Sequence, residues 1–183
     1  SGSGFTETGL RVWPAAPALC EHLCKEPGLV KGRRVLELGA GSGLVSAVAA
    51  SLGAKVTATD RPPLLPRLGR TAALGDEAQR FDVAPLEWGP GARPPPWAAG
   101  DFDVILGTDI TYAASDRAAL LDLAWRLSEG AGTSTLLAHC ARSPEQTAQL
   151  WHFLLERWPG AAWVYDGLEA LASCHDPARG CGS

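Results

Sequence analysis

The chain of 183 residues contains no methionine and no asparagine. No apolar run in it approaches the roughly 18 to 20 residues needed to cross a bilayer. Without asparagine there is no acceptor for N-glycosylation. No basic, apolar, small-residue signal opens the chain, so the expectation is a soluble protein of the cytoplasm, with the nucleus as the other compartment and no membrane partner. The lack of methionine together with the opening Ser1-Gly2-Ser3-Gly4 points to a trimmed or partial chain. Positive charge is also short: 16 Lys and Arg stand against 20 Asp and Glu, for a net charge of -4 and a pI near 5.5. Phosphate neutralisation demands clustered Lys and Arg, so no nucleic-acid partner is expected. The five cysteines form no CxxC pair and are odd in number, which excludes a disulfide framework. Cys20 and Cys24 lie on one face of an expected helix and read as small apolar side chains rather than a redox pair. Cys174, His175 and Cys181 could ligate a metal in principle, but no fourth ligand stands at a recognisable spacing and no metal is expected.

What is present suits one domain with a substantial core: 46% of the residues are hydrophobic and 20% charged. Residues 1–183 read as a single domain, with 1–9 flexible and 167–183 a tail of uncertain structure. The most informative segment is VLELGAGSG at 35–43, followed by Asp60 at the end of KVTATD. An apolar run that feeds into alternating glycines reads as a buried strand, a turn free of side chains, and a helix start. An acidic residue about 20 positions further on falls where a second parallel strand would end, within reach of a ribose hydroxyl pair. Dinucleotide sites carry GxGxxG, whose third glycine lets helix and strand pack closely. Here Gly39, Gly41 and Gly43 make GxGxG, and Leu44 stands where that last glycine would be.

The rest of the chain alternates. Pro14 suits the first turn of a helix over Ala15–Lys25. Strands are expected at Val35–Leu38, Lys55–Thr59, 80–86 (the weakest), Phe102–Gly107, Thr133–Ala138 and Trp163–Tyr165. Helices are expected at Leu44–Leu52, from Pro62 to about Leu74, after an N-cap at Ser115, and from a cap at Ser143 to Trp158. Gly89–Gly100, dense in proline and glycine, reads as a surface loop. Strands alternating with helices imply a mostly parallel sheet with helices on both faces. Right-handed crossovers then gather Gly39–Gly43, Asp60, Asp109 and Tyr112 along one edge. No strand is legible after Tyr165, so the expectation is either a missing last strand or an aberrant tail.

Four blocks, LRVWPAA at 10–16, VLELGAGSGLVSAVAASLGAKVTATD at 35–60, LEWG at 86–89 and FDVILGTDITY at 102–112, resemble in order and spacing the class I, seven-β-strand protein lysine methyltransferases of the methyltransferase-like 21 type. The resemblance covers Leu10 to about Trp158. It implies a Rossmann-like fold, S-adenosyl-L-methionine as cofactor with S-adenosyl-L-homocysteine as product, and a monomer acting on a protein that bears the target lysine. The substrates of that family are chaperones, AAA ATPases and elongation factors. By the same resemblance Glu37, Gly39, Gly41 and Gly43 surround the methionine moiety, Asp60 binds the ribose, Trp88 packs beside the adenine and Trp13 closes the pocket. Asp109 and Tyr112, the DxxY motif, line the lysine channel. Two other readings stay open: a catalytically weak cofactor-binding protein that holds a partner, which a missing last strand favours, and a small-molecule methyltransferase. An NAD-dependent oxidoreductase comes last, because Leu44 and LEWG do not suit it.

Overall fold

A computed structural model describes residues 11–98, 102–128, 132–141, 143–158, 161–166 and 169–174. The expectations made for residues 1–9, His175 and Cys181 lie outside them. The first helix, α1 (Ala15–Lys25), precedes β1 (Arg34–Leu38), α2 (Leu44–Ser51) and β2 (Lys55–Asp60). Then come α3 (Leu65–Ala72), β3 (Asp82–Pro85), β4 (Val104–Thr108) and α4 (Ala114–Ser128). The chain continues through β5 (Ser134–His139), α5 (Pro144–Arg157), β6 (Ala161–Asp166) and β7 (Glu169–Cys174).

The strands form one sheet in the order β3-β2-β1-β4-β5-β7-β6. The five strands from β3 to β5 pair in parallel, and the β6–β7 hairpin adds two antiparallel pairings beyond β5. Side chains alternate across a strand, and the alternation explains why helices cover both faces. Val35, Val56, Ala58, Val104, Leu106, Leu136 and Ala138 point into a core shared with α1, α2 and α3. Leu36, Leu38, Ile105 and Leu137 point the other way, onto α4 and α5. On that second face Trp125 and Trp158 meet edge to face, ring centroids 5.4 Å apart.

The structure corrects three expectations. A last strand is present: β7 runs antiparallel between β5 and β6, with Thr135 opposite Cys174 and His139 opposite Ala170. EALASC carries little β-branched or aromatic signal, and the strand is specified by pairing on both sides instead. Ser115 is not a cap, because α4 already begins at Ala114 and the carbonyl of Ala113 accepts the N–H groups of Asp116 and Arg117. The segment opened by Pro62 is divided into a 3-10 turn at Pro62–Leu64 and then α3, which ends at Ala72. No helix among the described residues is long and apolar enough to cross a membrane.

Candidate active site

The sheet order runs from β1 outward to β2 and β3, then returns to place β4 on the other side of β1. At such a reversal the two loops leaving the strand ends turn to opposite faces and leave a crevice between them. The loop after β1 carries Gly39–Gly43, and the loop after β4 carries Asp109–Tyr112. A cleft of about 300 Å³ lies there, lined by Trp13, Gly39, Gly41, Asp60, Trp88, Asp109 and Tyr112 among others. Seven of the nine residues singled out from sequence thus meet in one place.

Gly39 has φ 63, in the left-handed region that an L side chain adopts only at a cost. A Cβ there would lie 2.6 Å from Ile110 Cγ2 and 3.1 Å from Trp88 Cη2. The turn is therefore packed from above by the loop after β4. The N–H of Gly41 donates to Asp60 Oδ2 at 2.7 Å, and the N–H of Arg61 donates to Asp60 Oδ1 at 2.8 Å. Burial raises the Asp60 pKa, and these two N–H groups oppose that rise. Each carboxylate oxygen retains an unused lone pair.

Glu37 and Gly43 sit elsewhere. A Cβ on Gly43 would meet Leu68 Cδ1 at 2.8 Å and Phe81 Cζ at 3.2 Å, so this glycine admits α3 and the segment before β3 close to the turn. Glu37 is 1% exposed, beneath the turn. It accepts a hydrogen bond from the Ser46 hydroxyl of α2, while its own carbonyl accepts one from Thr59 Oγ1 at 2.7 Å. Both contacts clamp the strand, turn and helix that frame the cleft.

Burial pushes the Glu37 carboxyl up to about 8; hydrogen bonds from Ser46 oppose the rise, and the Asp60 charge adds to it. A carboxyl raised in the folded state contributes stability that is complete below its ordinary pKa and is lost as pH climbs to the folded value. Wild type should therefore lose thermal stability between about pH 5 and 8 and level off above. Glu37→Gln should flatten that slope and melt about 5 °C or more above wild type at pH 9. Scanning calorimetry across pH checks this, and parallel curves for the two proteins would refute it.

Asp109 stands at φ 51, the one non-glycine residue with positive φ among those described. Its N–H donates to the Ala138 carbonyl at 2.9 Å. Its carboxylate accepts the Cys140 N–H at 3.0 Å and, more weakly, the Ala15 N–H at the start of α1 at 3.4 Å. Asp109 is buried, whereas Tyr112 is 39% exposed at the cleft. On the N-terminal rim the Arg11 guanidinium lies 5.5 Å from the centroid of the Trp13 ring, in cation–π range.

Sequence reasoning missed Ile110, Asp116 and Glu87, which also line the cleft. Ile110 reads as an ordinary core residue, and only the two flanking glycines reveal its wedge-like place. A Cβ on Gly107 would lie 2.5 Å from Ile110 Cδ1. Of the two cysteines on α1, Cys20 is buried and Cys24 exposed. Burial, with the Glu37 and Cys24 charges, pushes the Cys20 thiol up to about 12.

Residues 2–155 match a family model described as lysine methyltransferase. The chain is 44% identical over 124 residues to protein N-lysine methyltransferase METTL21A of Danio rerio, covering 65% of this chain and 55% of that one. It is 38% identical over 103 residues to EEF1A lysine methyltransferase 3 of Mus musculus, covering 56% and 43%. The chain thus spans about half the length of these relatives. Among solved structures, magnesium protoporphyrin IX methyltransferase of Synechocystis, with bound SAH, aligns at a TM-score of 0.63 and 15% identity, covering 96% of this chain and 90% of that one. A SAM dependent methyltransferase of Aquifex aeolicus aligns at 0.66 and 17%, covering 88% and 94%. At such identities these two bear on the fold alone.

Proposed function

Because this chain belongs to the lysine methyltransferase family and is of the methyltransferase-like 21 type, we propose that it methylates the side-chain amine of a lysine in a non-histone protein such as a chaperone, AAA ATPase or elongation factor. The observation that carries the reading is the convergence of the glycine turn, Asp60, Asp109 and Tyr112 on one cleft. The elongation-factor suggestion is supported by the relative named for EEF1A.

The residues present fit S-adenosyl-L-methionine. Asp60 offers one open lone pair on each oxygen, matched to a ribose diol, and the side-chain-free turn at Gly39 and Gly41 admits a ligand against the backbone. Trp88 offers a flat apolar wall for the adenine, and Trp13 borders the opposite rim. When bound, the cofactor supplies a sulfonium-activated methyl group, which passes to the lysine nitrogen while the C–S bonding electrons stay on S-adenosyl-L-homocysteine. The enzyme's residues have to align donor and acceptor, and alignment alone removes much of such a barrier.

A lysine amine has a reference pKa of about 10.4, so presenting it neutral near pH 7 costs roughly 4 to 5 kcal/mol unless the site shifts it. Desolvation beside Tyr112 and Trp13 lowers that cost. Positive charge moves from sulfur to nitrogen during transfer, and the Asp109 carboxylate at the cleft stabilises it where it develops. A carboxylate also favours the ammonium, so Asp109 orients and stabilises rather than acting as a simple base. The proton departs to solvent. The case for a catalytically weak holder rested on an absent last strand, and β7 takes that support away.

Incubating a cell lysate with this protein and radiolabelled S-adenosyl-L-methionine should label a protein band, with the methyl on lysine by mass spectrometry. An Asp109→Ala control should leave the band unlabelled. Label confined to small molecules would move the reading to a small-molecule methyltransferase, and cofactor binding without any label would move it to a holding module.

A further inference from the structure

We propose that Thr111, His139 and Arg117 are positioning residues for methyl transfer, holding the segment from Asp109 to Tyr112 against the end of β5. The inference rests on the roles given above to Asp109 and Tyr112. Thr111 Oγ1 and His139 Nδ1 are 2.9 Å apart, the imidazole tautomer deciding which donates. Arg117 Nε, from the first turn of α4, donates to the Thr111 carbonyl at 2.9 Å. All three residues are buried. Desolvating three polar side chains is costly, and apolar residues would fill the same space more cheaply. What a satisfied polar cluster adds is a single geometry.

That geometry is needed at this spot. The left-handed backbone of Asp109 persists only where its surroundings hold it. The Asp109 main chain is tied to Ala138, and its carboxylate to Cys140. His139, between those two, reaches Thr111 and so fixes the residue that leads directly into Tyr112. Behind His139 stands β7, paired at Ala170. The strand β7, which is not legible in the sequence, therefore backs the strand end to which the acceptor-side loop is tied.

The test compares wild type with Thr111→Val, which removes the hydroxyl at constant shape, Thr111→Ser, which keeps it, and His139→Leu. Four quantities are read: kcat and KM for the methylated protein, affinity for S-adenosyl-L-homocysteine by calorimetry, and amide hydrogen exchange. Thr111→Val and His139→Leu should lower kcat between about tenfold and a hundredfold, with cofactor affinity held within about twofold. Exchange should quicken at residues 109–113 and at Cys140, and not in β1. Thr111→Ser should restore both rate and protection. Unchanged exchange at 109–113 in Thr111→Val, or a Ser variant no better than Val, would overturn the proposal. If wild type itself transfers no methyl group, the function fails on that result, while the exchange data still decide the positioning role.

Discussion

Asp109→Asn is expected to fold and bind the cofactor while losing about a hundredfold or more in kcat for methyl transfer. Removing one group aimed at developing charge commonly costs 10²- to 10³-fold, about 2.7 to 4 kcal/mol. Here the charge develops on the acceptor nitrogen, and the amide of Asn has no negative charge to set against it. Its oxygen still accepts one of the N–H groups of Cys140 and Ala15, and Asn tolerates the left-handed backbone nearly as well as Asp. Asp109→Ala is harsher. Both N–H groups lose their carboxylate acceptor, each at about 1 to 3 kcal/mol when buried. A chain of this size should then melt roughly 4 to 24 °C lower. The pair of variants separates charge from scaffold: rate falls in both, stability chiefly in Ala. An Asn variant with more than about half of the wild-type kcat would remove Asp109 from the chemistry.

Gly39→Ala should weaken binding of S-adenosyl-L-homocysteine by about a hundredfold or abolish it. Two costs coincide. The left-handed conformation penalises an L side chain by about 1 to 2 kcal/mol, and the new methyl would sit 2.6 Å from Ile110 Cγ2. Ile110 has little room to yield, because its Cδ1 already occupies the space where a Cβ on Gly107 would be. Overpacking of this kind costs roughly 1 to 3 kcal/mol. The displaced parts are Trp88 and the loop carrying Asp109, both at the cleft. Gly69, inside α3 with nothing within 4 Å of its Cβ position, is the control. Gly69→Ala should leave affinity unchanged and stabilise the helix by about 1 kcal/mol. Calorimetric titration decides, and equal affinities for wild type and Gly39→Ala would show that the turn does not hold the ligand as argued.

Strands β1, β2 and β4 are legible because each is rich in apolar residues and ends at glycine or aspartate, as in VLELG and VTATD. The helices carry their buried positions at helical spacing, as at Leu120, Leu123, Ala124 and Leu127. Topology likewise brought Gly39–Gly43, Asp60, Asp109 and Tyr112 to one edge, and the family resemblance added Trp88. The glycine motif could not say that Gly43 faces Leu68 and Phe81, since three alternating glycines look alike along a chain while successive turns point them in different directions. The resemblance puts Glu37 beside the ligand, and in the fold it lies under the turn, bonded to Ser46.

By itself the sequence determined the alternation of strands and helices and the glycine turn with its acidic partner, since both are written in local pattern and short-range spacing, and its four blocks carried the resemblance to the family. Tertiary structure alone decided the rest. The strand β7 has weak intrinsic propensity and forms because β5 and β6 pair with it on both sides. The contact of Ile110 with Gly39 and the buried bond joining Thr111 to His139 depend on residues far apart in the chain. Such contacts leave no periodic trace, because they arise only after the sheet has set its order and brought the end of β4 between those of β1 and β5.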